Sequence, residues 1–374
     1  MENMDVVAPA VSPLNADVLG DLKAQRRIDK IEKERERFVE SMAAADFSSL
    51  LPRVGAMLNM FPDTRNSDVH LALQYWETFQ PDLFHEHGIL PRNLFKLERM
   101  TNLTRARAKI QNDFGLFLAN EGVRQRRRAN EEVMQDAVIQ NAAPRPTITI
   151  FSDETGKTAT WVIVASVWVL DPRAVWDLTS AITEWKRTSY WAKREIHFAK
   201  FGSRDIDPLR EYLGIVAANR QFLGFKFAAV ERARTQRTIE ETVLRLHEFM
   251  TVEGLHHEVE TNRVELPRTL DVTVDRESSL DSFALRAARD RISGQLAQRH
   301  ANQAVINDIK DVPSEKSALV QLADVIGGAV NRVLNHQGEA NYKDEMAQLV
   351  INTLGIQLRS EAREQFDSAA MFYV

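Results

Sequence analysis

The sequence predicts an α/β protein in which a helical amino-terminal region precedes a mixed β-sheet flanked by helices. Three observations support this class. Residues 1–143 repeat apolar side chains at helical spacing, the pattern changes to β-branched and aromatic residues directly after the segment NAAPRP, and strand-like and helical segments then alternate. We therefore expect two domains, residues 1–143 and 144–374, since domains usually hold roughly 100–200 residues.

Composition excludes several classes of protein. The chain has 374 residues, of which 44% are hydrophobic, enough for a sizeable core and too many for a disordered protein. It has no cysteine, which excludes disulfides, zinc–thiolate sites and cysteine nucleophiles. No apolar run has membrane-spanning length, no secretory signal pattern is present, and the phosphate-binding loop of P-loop NTPases is absent. We expect a soluble cytoplasmic protein without membrane contact.

The pattern of the amino-terminal region predicts one long charged helix followed by a series of short helices. The long segment has opposite charges at i,i+4 spacing and only a thin apolar stripe, so it is either an exposed arm or a coiled-coil-like contact. The predicted helices are Asp21–Ala45, Ser48–Met60, Asp68–Phe79, Asn93–Met100 and one that begins near Asn102.

In the second region, strands and helices alternate after an opening hairpin-like pair. The predicted strands are Thr147–Phe151, Thr158–Leu170, Leu223–Val230, Thr269–Val274 and Ala304–Ile309. The predicted helices are Pro172–Thr188, Asp207–Ala218, Thr238–Val252, Leu280–Gln298, Ser317–Leu334 and Tyr342–Leu354. Such alternation indicates a sheet with helices on its faces.

Acidic residues follow the ends of several of these elements, where they can meet in space. Asp153 and Glu154 follow the first strand, Asp275 follows the strand TLDVTV, and Glu195 begins a short extended segment that contains His197. Each has an ordinary alternative explanation, because Asp and Glu also serve as turn residues and a histidine can be a satisfied polar group near the core.

Asp324 is the most informative acid, because it lies in an otherwise apolar helix. Small residues, Gly327 to Ala329, follow it and would let the helix approach a sheet closely. A carboxylate in such surroundings is costly to desolvate unless it is hydrogen-bonded, paired or metal-bound. The alternative is an acid that faces solvent on an amphipathic helix.

Four segments together resemble a known family. They are FSDETG after a strand, REIHFAKF, TVDRE, and KSALVQLADVIGGAVNR near the end. This set is similar to the bacterial and phage family called domain of unknown function 3800, which is grouped with the ribonuclease H-like fold. The resemblance covers about residues 147–334, and Thr155 stands where that family usually has serine.

The resemblance implies a ribonuclease H-like domain that hydrolyses phosphodiester bonds with two Mg²⁺ or Mn²⁺ ions. The candidate metal ligands it implies are Asp153, Glu195, Asp275 and Asp324. Beside them, it implies Glu154 as a further ligand or a turn residue, His197 for proton transfer or phosphate binding, and Lys316 for pairing with phosphate or product. Hard divalent ions prefer such oxygen ligands.

A basic stretch suggests a nucleic-acid partner although the net charge is −5. Residues 87–130 hold ten Lys/Arg against three Asp/Glu, and a helix near Asn102 presents polar residues, Gln111 and Asn112 among them, as a helix-turn-helix recognition helix would. Alternatively, the helix is only solvent-facing, or it docks on the acidic domain. The candidate nucleic-acid contacts are Arg105, Lys109, Arg124, Arg126, Arg127 and Arg128.

The leading functional hypothesis is therefore a metal-dependent nuclease that a basic helical domain guides to DNA or RNA. The alternative is a catalytically inactive ribonuclease H-like protein of phage or mobile-element origin, with a nucleic-acid-binding or regulatory role. A third hypothesis is an interaction module that binds a protein partner, or itself, through the amino-terminal helices.

Overall fold

A computed structural model describes residues 13–84, 89–120, 145–276, 282–358 and 367–374. Its amino-terminal helices are α1 Pro13–Ala43, α2 Leu50–Met60, α3 Asp68–Phe79 and α4 Met100–Ala108, with a π-helical turn at Lys109–Asp113. The bounds predicted for α3 are confirmed.

The helix predicted at Asn93–Met100 is wrong, since residues 91–96 form turns and α4 begins only at Met100. Gln80 explains the difference. Its side chain donates to the carbonyl of Lys96 at 3.2 Å and accepts from the amide of Glu98 at 2.7 Å. Because these bonds satisfy backbone groups that a helix would otherwise pair, the chain stays irregular there.

The second region is built on a six-stranded mixed sheet in the order β5-β4-β1-β2-β3-β6. The strands are β1 Thr147–Thr155, β2 Trp161–Val169, β3 Leu223–Glu231, β4 Arg268–Asp275, β5 Ala304–Val312 and β6 Ala369–Tyr373. β2 pairs antiparallel with both β1 and β3, and the other pairings are parallel, so β2 alone runs against the rest. The sequence did not predict β6, a five-residue edge strand.

Helices cover both faces of this sheet. They are α5 Pro172–Thr188, α6 Ile206–Ala218, α7 Ile239–Glu260, α8 Ser282–Arg299, α9 Ala318–Asn335 and α10 Tyr342–Leu354. Apolar side chains of α7 and α8 pack on one face, which we call the α7 face; those of α5, α6, α9 and α10 pack on the other, the α9 face. The predicted α/β class, a mixed sheet flanked by helices and preceded by a helical region, is confirmed.

Strand alternation decides which face each side chain reaches. In β1, Phe151 joins the core on the α9 face and Ile150 joins the core on the α7 face. The amino-terminal helices share the core of the α9 face through Phe38, Met57 and Leu103. The hydroxyl of Thr273 in β4 also donates to the carbonyl of Ala43 at 3.4 Å. The helical region thus packs directly on the sheet, and its independence as a domain stays a prediction.

A buried ion network, which we call the Lys226 cluster, lies on the α7 face. Lys226 of β3 and Glu258 of α7 are fully buried, and Lys226 Nζ lies 2.6 Å from Glu258 Oε1. Arg263 donates to both oxygens of Glu258 at 3.0 Å. Lys226 Nζ also donates to the carbonyl of Ser368, which tethers the start of β6. Burial lowers the pKa of Lys226, while Glu258 opposes that shift.

A search of the described helices for an apolar stretch of membrane-spanning length finds none.

Candidate active site

The carboxyl ends of β1 and β4 meet at one edge of the sheet. These strands are parallel neighbours, and Ser152 pairs with Val274, so the next residue of each strand is Asp153 and Asp275. Alternation places Asp153 on the same face as Phe151, and Asp275 on the same face as Thr273, which is the α9 face in both cases. The register of these two parallel strands therefore brings the two carboxylates together.

An open cleft of about 860 Å³ lies at this edge. It contains six of the seven residues that the sequence singled out as catalytic or metal-binding. The six are Asp153, Glu154, Glu195, His197, Asp275 and Asp324.

Two glycines let α9 carry Asp324 close to the sheet. A Cβ on Gly327 would lie 3.0 Å from the Cβ of Ala165 in β2, and a Cβ on Gly328 would lie 2.5 Å from the Cβ of Phe198. Both distances are shorter than ordinary van der Waals contact, so these positions exclude larger residues. The predicted close approach of this helix to the sheet is confirmed.

Asp324 and His197 form one hydrogen-bonded unit. Asp324 Oδ2 lies 2.7 Å from His197 Nδ1 and accepts from the amide of Phe198 at 2.7 Å. The hydrogen bond to Asp324 raises the pKa of His197, against the effect of partial burial. Because both bonds use Oδ2, neither occupies the other carboxylate oxygen of Asp324.

Asp153 lies in the most strongly perturbed electrostatic environment of the cleft. Desolvation raises its pKa well above the ordinary value, and the carboxylates of Asp324, Glu154 and Asp275 raise it further. Like charges crowded in this way repel one another. The arrangement is therefore one in which a cation, or a proton on Asp153, relieves the local excess of negative charge.

Glu195 is held in place by two donors from other segments. Its Oε1 accepts from the hydroxyl of Ser314 at 2.6 Å, and its Oε2 lies 2.5 Å from Lys200 Nζ. Desolvation raises the pKa of Glu195, but these hydrogen bonds outweigh it, and the pKa lies below the ordinary value. Glu195 is thus anionic and oriented at the mouth of the cleft.

Glu154 extends from β1 on the opposite face to Asp153 and borders the cleft from there. Its Oε1 pairs with Lys157 at 2.9 Å, and its Oε2 lies 3.8 Å from His247 Nε2 of α7. The second distance is too long for a hydrogen bond, so these two buried atoms have no such partner in the described structure. Desolvation raises the pKa of Glu154, but His247 and Lys157 outweigh it and leave the pKa lowered.

Lys316 does not line the cleft in the described structure. Its Nζ lies 2.8 Å from Glu40 Oε1, so it links the 3₁₀ turn before α9 to helix α1. Its suggested role with phosphate stays a prediction.

Several cleft residues were not singled out from the sequence. They are Lys157, Lys200, Ser314 and Gln321. Gln321 accepts from the amide of Ile196 at 3.1 Å and donates to the carbonyl of Ser314 at 2.8 Å, which joins two segments of the cleft wall. Its position three residues before Asp324, on the same side of α9, was the available sequence signal.

Within the described ranges, no three His, Asp or Glu side chains converge closely enough to count as a formed metal-ion site. The carboxylates share the cleft without enclosing a common point.

The basic segment after residue 100 is partly occupied by internal contacts. Arg105 is exposed, but Lys109 pairs with Glu34 of α1 at 2.6 Å, and the buried Arg107 pairs with Asp68. Gln111 is buried and donates to the carbonyls of Arg65 and Phe117, so its predicted presentation to a nucleic-acid groove is wrong. The remaining candidate contacts, Arg124, Arg126, Arg127 and Arg128, lie outside the described residues.

Comparison with known proteins adds little. No protein-family model matches the chain, and no curated protein matches it. Among solved structures, it is similar to a chain from the structure of the PCNA:RNase HII complex from Archaeoglobus fulgidus. The two are 14% identical, the alignment covers 56% of this chain and 90% of that chain, and the TM-score is 0.28. A likeness this distant carries no argument about the function of this chain.

Proposed function

We propose that this chain is a metal-dependent nuclease that hydrolyses phosphodiester bonds of nucleic acid in the acidic cleft. One observation carries the proposal. Asp153, Asp275 and Asp324 come from three separate elements, yet all three lie on the α9 face and line one cleft. Structural acids are usually paired with cations, whereas these crowd together and raise the pKa of Asp153.

The chemistry of these donors suits Mg²⁺ or Mn²⁺, while their positions in the described structure do not enclose a common point. Carboxylate oxygens are the hard ligands that these ions prefer, and the crowded negative charge at Asp153 is what a divalent cation would offset. Asp153, Asp275 and Asp324 would hold the metal, with Glu195 as a further ligand. Bound divalent ions supply, in phosphodiester hydrolysis, a lowered pKa for the attacking water and a countercharge for the leaving oxygen.

The remaining cleft residues have roles that follow from their contacts. Asp324 engages Nδ1 of His197, which leaves Nε2 as the ring nitrogen for proton transfer or for a phosphate oxygen. Lys157 and Lys200 set cations beside the acids, where they reduce the repulsion between the cleft and a polyanionic substrate.

We also propose membership of the domain of unknown function 3800 family. Each of the four segments that suggested the family contributes an acid to the same cleft, namely Asp153, Glu195, Asp275 and Asp324. The convergence of segments that are far apart in sequence supports the resemblance. The proposed partners are DNA or RNA. The proposed contacts from the helical region are the exposed Arg105 and, outside the described residues, Arg124, Arg126, Arg127 and Arg128.

Cleavage assays with purified protein test the proposal. Labelled single- and double-stranded DNA and RNA are incubated with Mg²⁺, Mn²⁺ or EDTA, using wild type, Asp153→Asn, Asp324→Asn and the control Asp290→Asn. Asp290 is an exposed residue of α8 on the other face of the sheet, so its substitution makes the same chemical change away from the cleft.

We expect metal-dependent products from wild type and Asp290→Asn, and none from the two cleft variants. Products that persist in Asp153→Asn would overturn the proposal. Wild-type protein that neither cleaves nor binds Mg²⁺ or Mn²⁺ would replace it with the catalytically inactive, regulatory alternative.

A further inference from the structure

We propose that a second, basic site at the same edge of the sheet binds the phosphodiester backbone of the substrate next to the acidic cleft. This site is the arginine loop, residues 232–237, together with the start of α7. The inference rests on the proposed nuclease function, because it names the surface that holds the strand being cut.

The arginine loop and the cleft share one edge of the sheet. β3 ends at Glu231, which pairs with Trp161, the first residue of β2. Two residues further along β2, Ile163 pairs with Thr155, the last residue of β1. The loop therefore starts two strand spacings from β1. Because Asp153 pairs with Ala165, four residues along β2 from Trp161, the start of the loop lies roughly 16 Å from Asp153. The amide of Arg232 also donates to the carbonyl of Thr160 at 2.8 Å, which fixes the loop to the β1–β2 turn.

An open pocket of about 1260 Å³ lies against the loop. Its lining includes three arginines, Arg234, Arg237 and Arg245, and one acidic residue, Glu241. Glu241 caps the start of α7, since its carboxylate accepts from the amide of Thr238 at 3.4 Å. The side chains that line this pocket therefore carry more positive than negative charge.

These positive charges are only partly neutralised. Arg237 is exposed, and among the described residues its guanidinium has no carboxylate partner. Arg234 pairs with Glu231 at 2.7 Å, but 74% of its side chain stays exposed. Arg245 shares the buried carboxylate of Glu248 with Arg291, so two cations there face one anion. An extended anion is the ligand that such a surface attracts.

The pocket lies on the α7 face, because Val230 and Leu246 line it, so a nucleic-acid strand held there would reach the cleft on the α9 face by crossing the end of the sheet. A separation of roughly 16 Å corresponds to about five nucleotide steps at ~3.4 Å per step. Lys157, whose side chain is 36% exposed, lies in the turn between the cleft and the loop, and it completes a row of cations along the edge. Contacts of this kind hold the register of a strand without reading its bases.

The double variant Arg234→Gln/Arg237→Gln tests the site. Both side chains are exposed, so the variant leaves the core intact, and Arg245 is spared because it neutralises the buried Glu248. Binding of labelled single-stranded DNA, duplex DNA and single-stranded RNA is measured by fluorescence anisotropy between about 50 and 200 mM salt. The buffers contain EDTA or Ca²⁺, so that the readout is binding rather than cleavage.

Loss of two phosphate contacts predicts a smaller slope of log affinity against log salt. We expect the slope to fall by about 1.8 for duplex DNA or about 1.4 for a single strand, with affinity reduced about tenfold or more at the lowest salt. The nucleic acid that shows the change identifies the strand type the loop holds.

The matched control is Arg173→Gln/Arg299→Gln. These two arginines are also partly exposed, and each forms an ion pair as Arg234 does, but they lie at the opposite edge of the sheet, after β2 and before β5. An unchanged slope in the loop variant, or an equal decrease in the control, would overturn the inference while the cleavage proposal stands. Wild-type protein that binds none of the nucleic acids in either buffer would overturn both.

Discussion

The Lys226 cluster and the acidic cleft both place charged side chains inside the protein, but they balance those charges differently. In the Lys226 cluster, two cations, Lys226 and Arg263, enclose the carboxylate of Glu258, which accepts hydrogen bonds at both oxygens. In the cleft, Asp153 has acidic neighbours that raise its pKa, and cations reach only the margins. In the cluster, cations contact both oxygens of the buried carboxylate, whereas in the cleft the neighbours of Asp153 are other carboxylates.

This difference separates a structural role for the Lys226 cluster from the functional role proposed for the cleft. A buried ion network with complete pairing holds β3, α7 and the start of β6 together, so its loss should appear in stability. A crowd of like charges opposes folding in the absence of a cation, so its loss should appear in metal binding and activity. Three substitutions test this contrast.

The largest expected effect on stability comes from Glu258→Gln. Removal of the Glu258 charge leaves Lys226 and Arg263 buried with only the more distant carboxylate of Asp367 as a countercharge, which should lower the free energy of unfolding by about 3–5 kcal/mol. Urea denaturation measures the change, and Glu240→Gln, an exposed position of the same helix, is the control. A loss below about 1 kcal/mol would show that the cluster is not a stabilising network.

A smaller effect, which should appear only when metal is present, is expected for Asp153→Asn. At a Mg²⁺ or Mn²⁺ concentration about 100 times the Kd, wild-type protein should gain about 2.7 kcal/mol of stability, and the variant should gain none. Without metal, the variant should be at least as stable as wild type, because one of the crowded charges is gone. Equal stabilisation of both proteins by metal would mean that Asp153 does not bind the ion.

The smallest effect is expected at the contact between α9 and the segment that carries His197. Gly328→Ala puts a Cβ within 2.5 Å of the Cβ of Phe198, so the variant should lose about 1–3 kcal/mol of stability. Its activity per folded molecule should also fall, since the amide of Phe198 orients Asp324. Calorimetry and the cleavage assay measure the two changes.

Gly294→Ala is the matched control for that substitution. Gly294 is also helical, but a Cβ there would meet no atom within 4 Å, so alanine should stabilise α8 by about 0.5–1 kcal/mol. Similar behaviour of the two variants would mean that the close approach of α9 does not constrain the cleft.

Much of the fold was predictable because the signals were local. The bounds of α3, α5 and α10 agree with the sequence predictions. By contrast, β1 continues to Thr155, so Asp153 and Glu154, which were predicted to follow the strand, lie within it on opposite faces. Where predictions failed, a distant partner changed the outcome. Gln80 holds the backbone near residue 97 out of a helix.

The site was predictable as a set of acids but not as an arrangement. Sequence motifs identified Asp153, Glu195, Asp275 and Asp324, and the structure places all four in one cleft. The hydrogen bond between His197 and Asp324 joins residues 127 positions apart, and the positions of Ser314 and Gln321 in the cleft wall depend on similar long-range contacts. No local pattern reports such contacts.

By itself, the sequence determined the fold class, the order of the elements and the identity of the acids, because periodicity, turn residues and strand ends depend on neighbouring positions. The tertiary structure decided which acids remain unbalanced. Whether a buried carboxylate is paired, as Glu258 is, or crowded, as Asp153 is, depends on the charges that folding brings near it. Electrostatic energy depends on distance in space, and only the packed sheet and helices determine those distances.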